Sequence, residues 1–507
     1  MKTYLGIEFG STRIKAVQID KENRIHSSCD YTWKSECKNG IWTYELDEAV
    51  KGLKTALSGI KDVESIECAG ISGMMHGYLA FDEDWNLLVP FRTWQNTMTA
   101  KASVILTELF SFNIPQRWSI SHLYQAILGG EEHVRKIAHI TTLAGYIHYL
   151  LTGVNAVGIG EASGIFPIDS DNLCYDKTMI EKFDRLVSEY NLPWKLCDVL
   201  PGVLTAGESA GKLTEEGRKL VDYLPPQGIM FVPPEGDAGT GMVATNAVKT
   251  ATGNVSAGTS IFSMVVLEKR LENVYEEIDV VTTPTGKPVA MVHCNNCTND
   301  SNAWVSVLHE TAELFGADVG KDLYTKLYEK SLEGDADCGG VVVCNYVAGE
   351  GVTHFDSGRP IVTRTPDAKF TLANFFRATL YSTMATLKIG MDILEKENVR
   401  IESLTGHGGL FKTPVVGQKY MAAACKTPIT CLESAGEGGP YGMAILASFA
   451  KNKRESETLE EYLDRCVFVN VKSTLVEADE KDIQGFDKYM SKYIQLLKVE
   501  RAAVENI

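Results

Sequence analysis

The stretch LGIEFGSTRIKAVQID, residues 5–20, sets three small residues, Gly10, Ser11 and Thr12, between two loosely alternating apolar arms, with Glu8 just before the turn and Lys15 just after it. Leu5 to Phe9 and Ile14 to Ile19 carry the two-residue period of strands, so the segment predicts a β-hairpin. A turn of this make-up presents backbone N–H groups and hydroxyls and can cradle phosphate oxygens without a helix. The same residues also suit a plain surface hairpin with Lys15 solvated, and this stretch alone leaves both readings open.

A second segment of the same kind lies far along the chain. GNVSAGTSIFSMVVL, residues 253–267, again places two β-rich arms around a small-residue turn, Gly258-Thr259-Ser260. Two like hairpins predict two similarly built halves that divide near residues 245–252, the first spanning 1–247 and the second 248–507. Strand-like and helix-like segments alternate throughout, which predicts the α/β class. In the first half these are the hairpin, a third strand near WTYEL, a helix over Leu46 to Ile60 and the strand SIECAGISG. Later come a helix with apolar spacing from Leu372 to Leu394 and a terminal helix after Glu477.

With 507 residues the chain is long enough for two or more domains, and 44% hydrophobic with 23% charged residues is the composition of a globular protein. It contains no apolar run of membrane-spanning length, and its start, MKTYLGIEFG, lacks a secretory pattern, so a cytoplasmic location is expected. A net charge of −17 argues against nucleic acid and anionic membrane as partners. An anionic ligand must then be held locally, by loop amides, a metal or a few bases. The 12 cysteines are scattered, as reduced and mostly buried thiols are; the one close pair, Cys294 and Cys297 in HCNNC, has no matching second pair and no redox context, and reads as coincidence.

Three other stretches carry chemistry. In PPEGDAGTG, Asp237 sits among glycines that let backbone approach a ligand; it reads either as an ordinary turn aspartate or as a general base. GISGMMHGYLAF places Met75 and His76 at the end of a strand before Gly77, and Trp94, Gln95 and Asn96 follow: core methionine and buried histidine on one reading, a sugar pocket of ring face and amides on the other. Gly406, Gly408 and Gly409, with Lys412 after them, either end a strand or bring backbone against a nucleotide.

Taken in order, these fragments resemble the FGGY family of carbohydrate kinases, part of the group that holds sugar kinases, actin and heat-shock ATPases, over roughly residues 3–450. The first turn resembles that family's first phosphate motif, with Glu8 where an aspartate usually helps to hold hydrated magnesium, and SAGTSIF resembles the second. ISGMMHGYLAFDEDWNLLVPFRTWQN is similar to the sugar-contacting stretch of xylulose kinases, with Gln95 and Asn96 replacing its polar pair. GYIHYLLTG through EASGIF resembles the helix and Asp-Ala-Ser-Gly segment of the first domain. TGHGGLFKTPVVGQKYMAAACKTPI resembles the adenosine motif, in wording closer to ribulokinases, and ESAGEGGPYGMAILA the turn and helix that close the adenine pocket.

The resemblance implies two ribonuclease H-like domains of actin/hexokinase type, mixed sheets flanked by helices, and a central cleft. It implies ATP and Mg²⁺, with Glu8 and Asp237 at the metal and Asp237 as general base. Met75, His76, Trp94, Gln95, Asn96 and Asp237 would contact the sugar. Gly10, Ser11, Thr12, Lys15, Gly258, Thr259, Ser260, Gly406, Gly408, Gly409 and Lys412 would contact the nucleotide. The implied substrate is a ketopentose, D-xylulose phosphorylated at its terminal hydroxyl first, then L-ribulose, then other ketoses or polyols. The family often dimerises, although no interface is legible here. Ala238 stands where xylulose kinases carry an amide, and Glu235 is the residue that could replace that contact. Glu350 matches a Gly-Glu segment whose role stays open. An actin-like ATPase that signals without phosphorylating sugar is the alternative from another class; it needs neither Asp237 nor the Met75-His76 pocket.

Overall fold

The computed structural model describes residues 2–222, 227–320, 322–433 and 438–507, so residues 434–437 of the acid-rich turn lie outside it. The chain forms two compact units: Met1–Lys249 with Asp279–Val289 and Glu437–Val471, and Thr250–Ile278 with Ala290–Gly436 and Lys472–Ile507.

In the first unit the opening hairpin is β1 (Thr3–Phe9) and β2 (Arg13–Asp20), with Phe9 opposite Ile14 and Glu8 opposite Lys15. β3 (Ile25–Thr32) continues the sheet from β2. Its sequence, IHSSCDYT, breaks the apolar alternation with Ser27, Ser28 and Asp30, which is why periodicity does not find it and points instead to WTYEL. There the chain forms only the short strand Ile41–Thr43, paired with Glu36–Lys38. β4 (Ile66–Gly73) runs parallel to β1, and β5 (Met230–Phe231) and β6 (Glu235–Gly236) run parallel to β4.

β1 is buried along nearly its whole length because both faces are covered. The predicted helix forms over Leu46–Ser58 and packs Leu53 and Leu57 into the core that holds Leu5, Ile7 and Ile14. Against β1 and β4 also lies the helix Gly438–Asn452, which explains why this late segment joins the first unit. The approach is backbone to backbone. A Cβ on Gly6 would overlap the Pro440 carbonyl and the Ala444 amide, one on Gly70 the Met443 side chain, and one on Gly442 the carbonyl of Thr240 in the helix Asp237–Ala244.

The second unit repeats the plan. β7 (Thr252–Ala257) and β8 (Ile261–Val266) form the second hairpin, and the sheet runs on one side to β9 (Pro288–Cys294) and on the other to β10 (Ser403–His407), β11 (Ile429–Leu432) and β12 (Ser473–Val476). As with β1, the first arm β7 pairs antiparallel with its hairpin partner and parallel with a later strand, β10. The helices expected from Leu372 and after Glu477 span Leu372–Lys396 and Glu480–Asn506. All 12 cysteines are unpaired, and among the described residues no helix is long and apolar enough to cross a membrane.

The glycine contacts give a direct test. Gly6→Ala and Gly442→Ala each destabilise the protein by about 1–3 kcal/mol through overpacking. Gly241→Ala, in the Asp237–Ala244 helix with open space at its Cβ, leaves stability unchanged or raises it by ~0.5–1 kcal/mol. Urea unfolding followed by circular dichroism checks both; equal midpoints for Gly6→Ala and the native chain contradict the packing argument.

Candidate functional site

Three parallel strands of the first unit, β1, β4 and β6, end side by side, and the segments that leave their carboxyl ends hold Gly10, Ser11, Thr12, Met75, His76 and Asp237. The first is the turn Gly10-Ser11-Thr12. Its shape is fixed from behind: the Trp33 indole donates to the Gly10 carbonyl (2.7 Å), the Tyr44 hydroxyl to the Ser11 carbonyl (2.7 Å) and the Trp33 amide to the Thr12 carbonyl (3.1 Å). The two rings lie 4.2 Å apart and brace each other. Ser11 and Thr12 keep solvent exposure. Sequence marks these anchors only weakly, as two of four aromatics, Tyr31, Trp33, Trp42 and Tyr44, in a largely polar stretch.

Glu8, at the end of β1, faces Gly439, where a Cβ would overlap its carboxyl. Burial, and then the negative charge of Asp237, push this carboxyl up to about 8, while Lys15 across the hairpin pulls the other way. Asp237 opens the helix Asp237–Ala244 directly after β6. Its Oδ1 accepts from the backbone amides of Met75 (3.3 Å) and Ala238 (2.9 Å). Burial raises it to about 6, against the pull of those amides. Ser72 and Thr240 tie β4 to this helix through their hydroxyls at 3.0 Å.

Glu235 does not take the place of the missing amide. It is fully buried and turned toward the helix Ile159–Ala162, accepting from the amides of Gly160 (3.4 Å) and Glu161 (2.9 Å), with burial pushing it up to about 8. Gly158 and Gly160 are glycines because its carboxyl fills the space a Cβ would need. Glu161, in the acid position of the EASG segment, is also fully buried, and neither carboxyl oxygen has a hydrogen bond of ordinary geometry. Burial lifts it well above the carboxylate range.

His76 follows β4 with a left-handed backbone (φ 70°), and Gly77 continues it (φ 93°). The loop Arg117-Trp118-Ser119 holds this bend: the Gly77 amide donates to the Arg117 carbonyl (3.2 Å), the Ser119 hydroxyl bonds the Gly77 carbonyl, and the His76 ring stacks on Trp118 at 6.0 Å. His76 Nδ1 lies 3.3 Å from the Gly164 carbonyl, and Arg117 itself is paired with Asp279. Met75 contributes its amide to Asp237 and lays its side chain over Gly236 and Gly164. Arg92, just before Thr93 and Trp94, pairs with Tyr78, which carries that segment to the same bend.

Trp94 packs against the core, and the Gln95 side-chain oxygen is buried without a partner among the described residues, as a group awaiting a ligand hydroxyl would be. Asn96 differs from expectation. Its Oδ1 accepts from the Trp42 amide (2.9 Å) and its Nδ2 donates to the carbonyls of Trp42 (2.8 Å) and Thr93 (3.0 Å), so its amide fixes backbone and has little left for sugar.

The second unit gathers its own candidates at the ends of β7 and β10. Gly258-Thr259-Ser260 closes the hairpin, with the Gly258 amide bonded to the Ser260 carbonyl (2.9 Å). Gly408 (φ 97°) passes so close to Ala257 that a Cβ would overlap its carbonyl, which brings Gly406, Gly408 and Gly409 beside the turn. Lys412 follows on the surface.

Comparison with known proteins identifies the family and the fold that carry these residues. The model of the N-terminal domain of the FGGY family of carbohydrate kinases matches residues 3–238, and that of its C-terminal domain residues 253–451. A xylulose kinase of Haemophilus influenzae is 22% identical over 482 residues, which cover 90% of this chain and 92% of the relative. Among solved structures, a gluconate kinase from Lactobacillus acidophilus superposes with a TM-score of 0.81 at 15% identity, and a ligand-bound xylulose kinase from the same organism with 0.80 at 15%, each covering 98% of both chains. The fold is therefore the two-domain actin/hexokinase type, with mixed sheets flanked by helices.

The strained bend yields a prediction on stability alone. His76→Gly is more stable than His76→Ala by about 1 kcal/mol, because only glycine relieves the left-handed backbone. Thermal unfolding of the pair measures it, and a less stable glycine variant refutes the strain.

Proposed function

We propose, from the premise that the chain belongs to the FGGY family of carbohydrate kinases, that it transfers the γ-phosphate of ATP to the terminal hydroxyl of a ketopentose, D-xylulose before L-ribulose. The observation that carries the reading is Asp237: a carboxylate at the ends of three parallel strands, held by the Met75 amide, beside Glu8, the Gly10–Thr12 turn and the His76 bend.

Phosphoryl transfer needs positioning, neutralised charge and a base more than covalent help. On this reading the sugar lies against His76, Gln95 and the Trp94 face, and its reacting hydroxyl donates to Asp237, which takes the proton as the oxygen attacks. The amides of Met75 and Ala238 hold the carboxylate in position without neutralising it. The turn Gly10-Ser11-Thr12, and in the second unit Gly258-Thr259-Ser260 with Gly406, Gly408 and Gly409, face the nucleotide, with Lys15 and Lys412 as local cations.

Two carboxylates, Glu8 and Asp237, interact through their charges, and among the described residues no group of three or more ligating side chains gathers. That donor set suits Mg²⁺, which takes one or two carboxylates and completes its shell with water and phosphate oxygens. Glu8 and Asp237 would hold the ion, and its charge would favour their ionised forms and offset that of the triphosphate. L-Ribulose stays the second substrate because the glycine segment reads Gly-Gly-Leu-Phe-Lys-Thr-Pro over residues 408–414, the ribulokinase-like wording. A cytoplasmic homodimer belongs to the same proposal, and sedimentation tests the assembly.

Coupled ADP release over a panel of D-xylulose, L-ribulose and polyols with Mg·ATP is expected to show sugar-dependent turnover, highest with D-xylulose and abolished by chelation of the metal. Turnover that no ketose raises rejects the proposal. Asp237→Asn lowers kcat at least ~10²-fold while nucleotide affinity, measured by calorimetry, stays within a few-fold. Near-native kcat in that variant removes Asp237 as the base.

A further inference from the structure

The segment between Cys294 and Cys297 has a structural task that the pair of thiols obscures. Both cysteines are buried and unpaired, and burial pushes the Cys297 thiol up to about 12, so neither is poised for redox chemistry. The backbone that follows them is tied to the second hairpin turn. The Cys297 amide donates to the Thr259 carbonyl (3.0 Å), and Thr298 donates to the Gly258 carbonyl twice, from its amide (3.2 Å) and its hydroxyl (2.7 Å).

That segment is itself held by Asn296 and Glu350. The Asn296 Oδ1 accepts from the amides of Val347 (2.9 Å) and Ala348 (3.0 Å), and the Glu350 Oε2 accepts from the Asn296 amide (3.2 Å) and its Nδ2 (3.0 Å). Asn345 closes the frame by donating to the Cys297 carbonyl (2.8 Å). Asn296, Asn345 and Glu350 are each 1% exposed, and among the described residues the second carboxyl oxygen of Glu350 has no hydrogen bond of ordinary geometry. A buried carboxyl with half its capacity unmet is costly for stability alone. Its placement makes sense where geometry one step away must be exact to a fraction of an ångström.

We infer that Glu350 is a positioning residue for the Gly258-Thr259-Ser260 turn, acting through Asn296 and the backbone of Cys297 and Thr298. The inference rests on the reading of that turn as a nucleotide phosphate contact. It assigns the Gly-Glu segment a part in the reaction: Glu350 touches neither substrate, and its removal lets the turn shift relative to the phosphates. The Cys-x-x-Cys spacing is then the span of the loop that Asn296 anchors.

Steady-state kinetics of the full chain with Mg·ATP and D-xylulose test it. Glu350→Ala is expected to raise the KM for ATP ~10-fold or more and to lower kcat, while D-xylulose affinity measured by calorimetry without nucleotide stays within about twofold. Glu350→Gln keeps an oxygen for Asn296 and restores both constants to within about threefold. Thr298→Val, which removes the hydroxyl bond to Gly258, raises the ATP KM in the same direction and decides the matter if Glu350→Ala fails to fold. An unchanged ATP KM in Glu350→Ala or Thr298→Val, or parallel weakening of ATP and sugar that glutamine does not rescue, overturns the inference. Gly258→Ala separates this from the parent reading: its Cβ meets nothing of the protein within 4 Å, so the fold accommodates it, and a phosphate held against that turn would meet the added methyl. If it leaves the ATP KM unchanged, the turn is no phosphate contact, and the parent reading falls first.

Discussion

The first unit depends on one close approach: the backbone of the helix Gly438–Asn452 against β1, made feasible by Gly6 on the strand, while Gly439 and Gly442 turn the same helix toward the Glu8 carboxyl and the Thr240 carbonyl. Dispersion and area burial stabilise any helix on a sheet, but only glycines permit this distance, and the distance sets several things at once. Gly439 leaves the volume that the Glu8 carboxyl occupies. Gly442 lets the helix touch Thr240, and Thr240 in turn bonds Ser72 and the Gly236 carbonyl beside Asp237. A segment about 430 positions from Glu8 and about 200 from Asp237 thus fixes where two acids at the ends of β1 and β6 stand.

Four carboxyl groups, those of Glu8, Glu161, Glu235 and Asp237, lie in or near this region, and their surroundings separate their roles. Burial raises all of them. Glu161 has no donor of ordinary geometry and is held neutral, and Glu235 lies deep against the amides of Gly160 and Glu161. Asp237 combines two backbone donors with partial exposure, and burial raises it to about 6. Glu8 shares that partial exposure, whereas Glu161 and Glu235 are enclosed. Environment separates acids that sequence alone presents as equivalent.

Much of this was legible because the fold writes its strands and turns locally. The two hairpins, the helix at Leu46 and the helix from Leu372 are periodic and apolar, and each stands where the pattern puts it. β3 escaped because Ser27, Ser28 and Asp30 interrupt its alternation, and Asn96 misled because an amide suited to a sugar is equally suited to the backbone of Trp42. Trp33, Tyr44, Glu161 and Asn296 act through contacts that join distant positions, and nothing local marks them. Halves drawn at 1–247 and 248–507 divide the chain along its length; the compact units divide it in space, and 279–289 and 437–471 return to the first.

The two hairpin turns reach the same mechanical state by different means. In the first unit, side chains just past the next strands, Trp33 and Tyr44, donate to the carbonyls of Gly10 and Ser11. In the second, the chain beyond β9 supplies the donors, and Thr298 and Cys297 bind the carbonyls of Gly258 and Thr259. A small-residue turn is intrinsically loose, since glycine loses much conformational freedom when it is fixed. Tying the carbonyls to buried donors on one side removes that freedom before any ligand arrives, so ordering of the turn is not charged against binding. Glycine-rich composition provides close approach, and the donors behind it provide rigidity; a turn read from its own residues alone shows only the first.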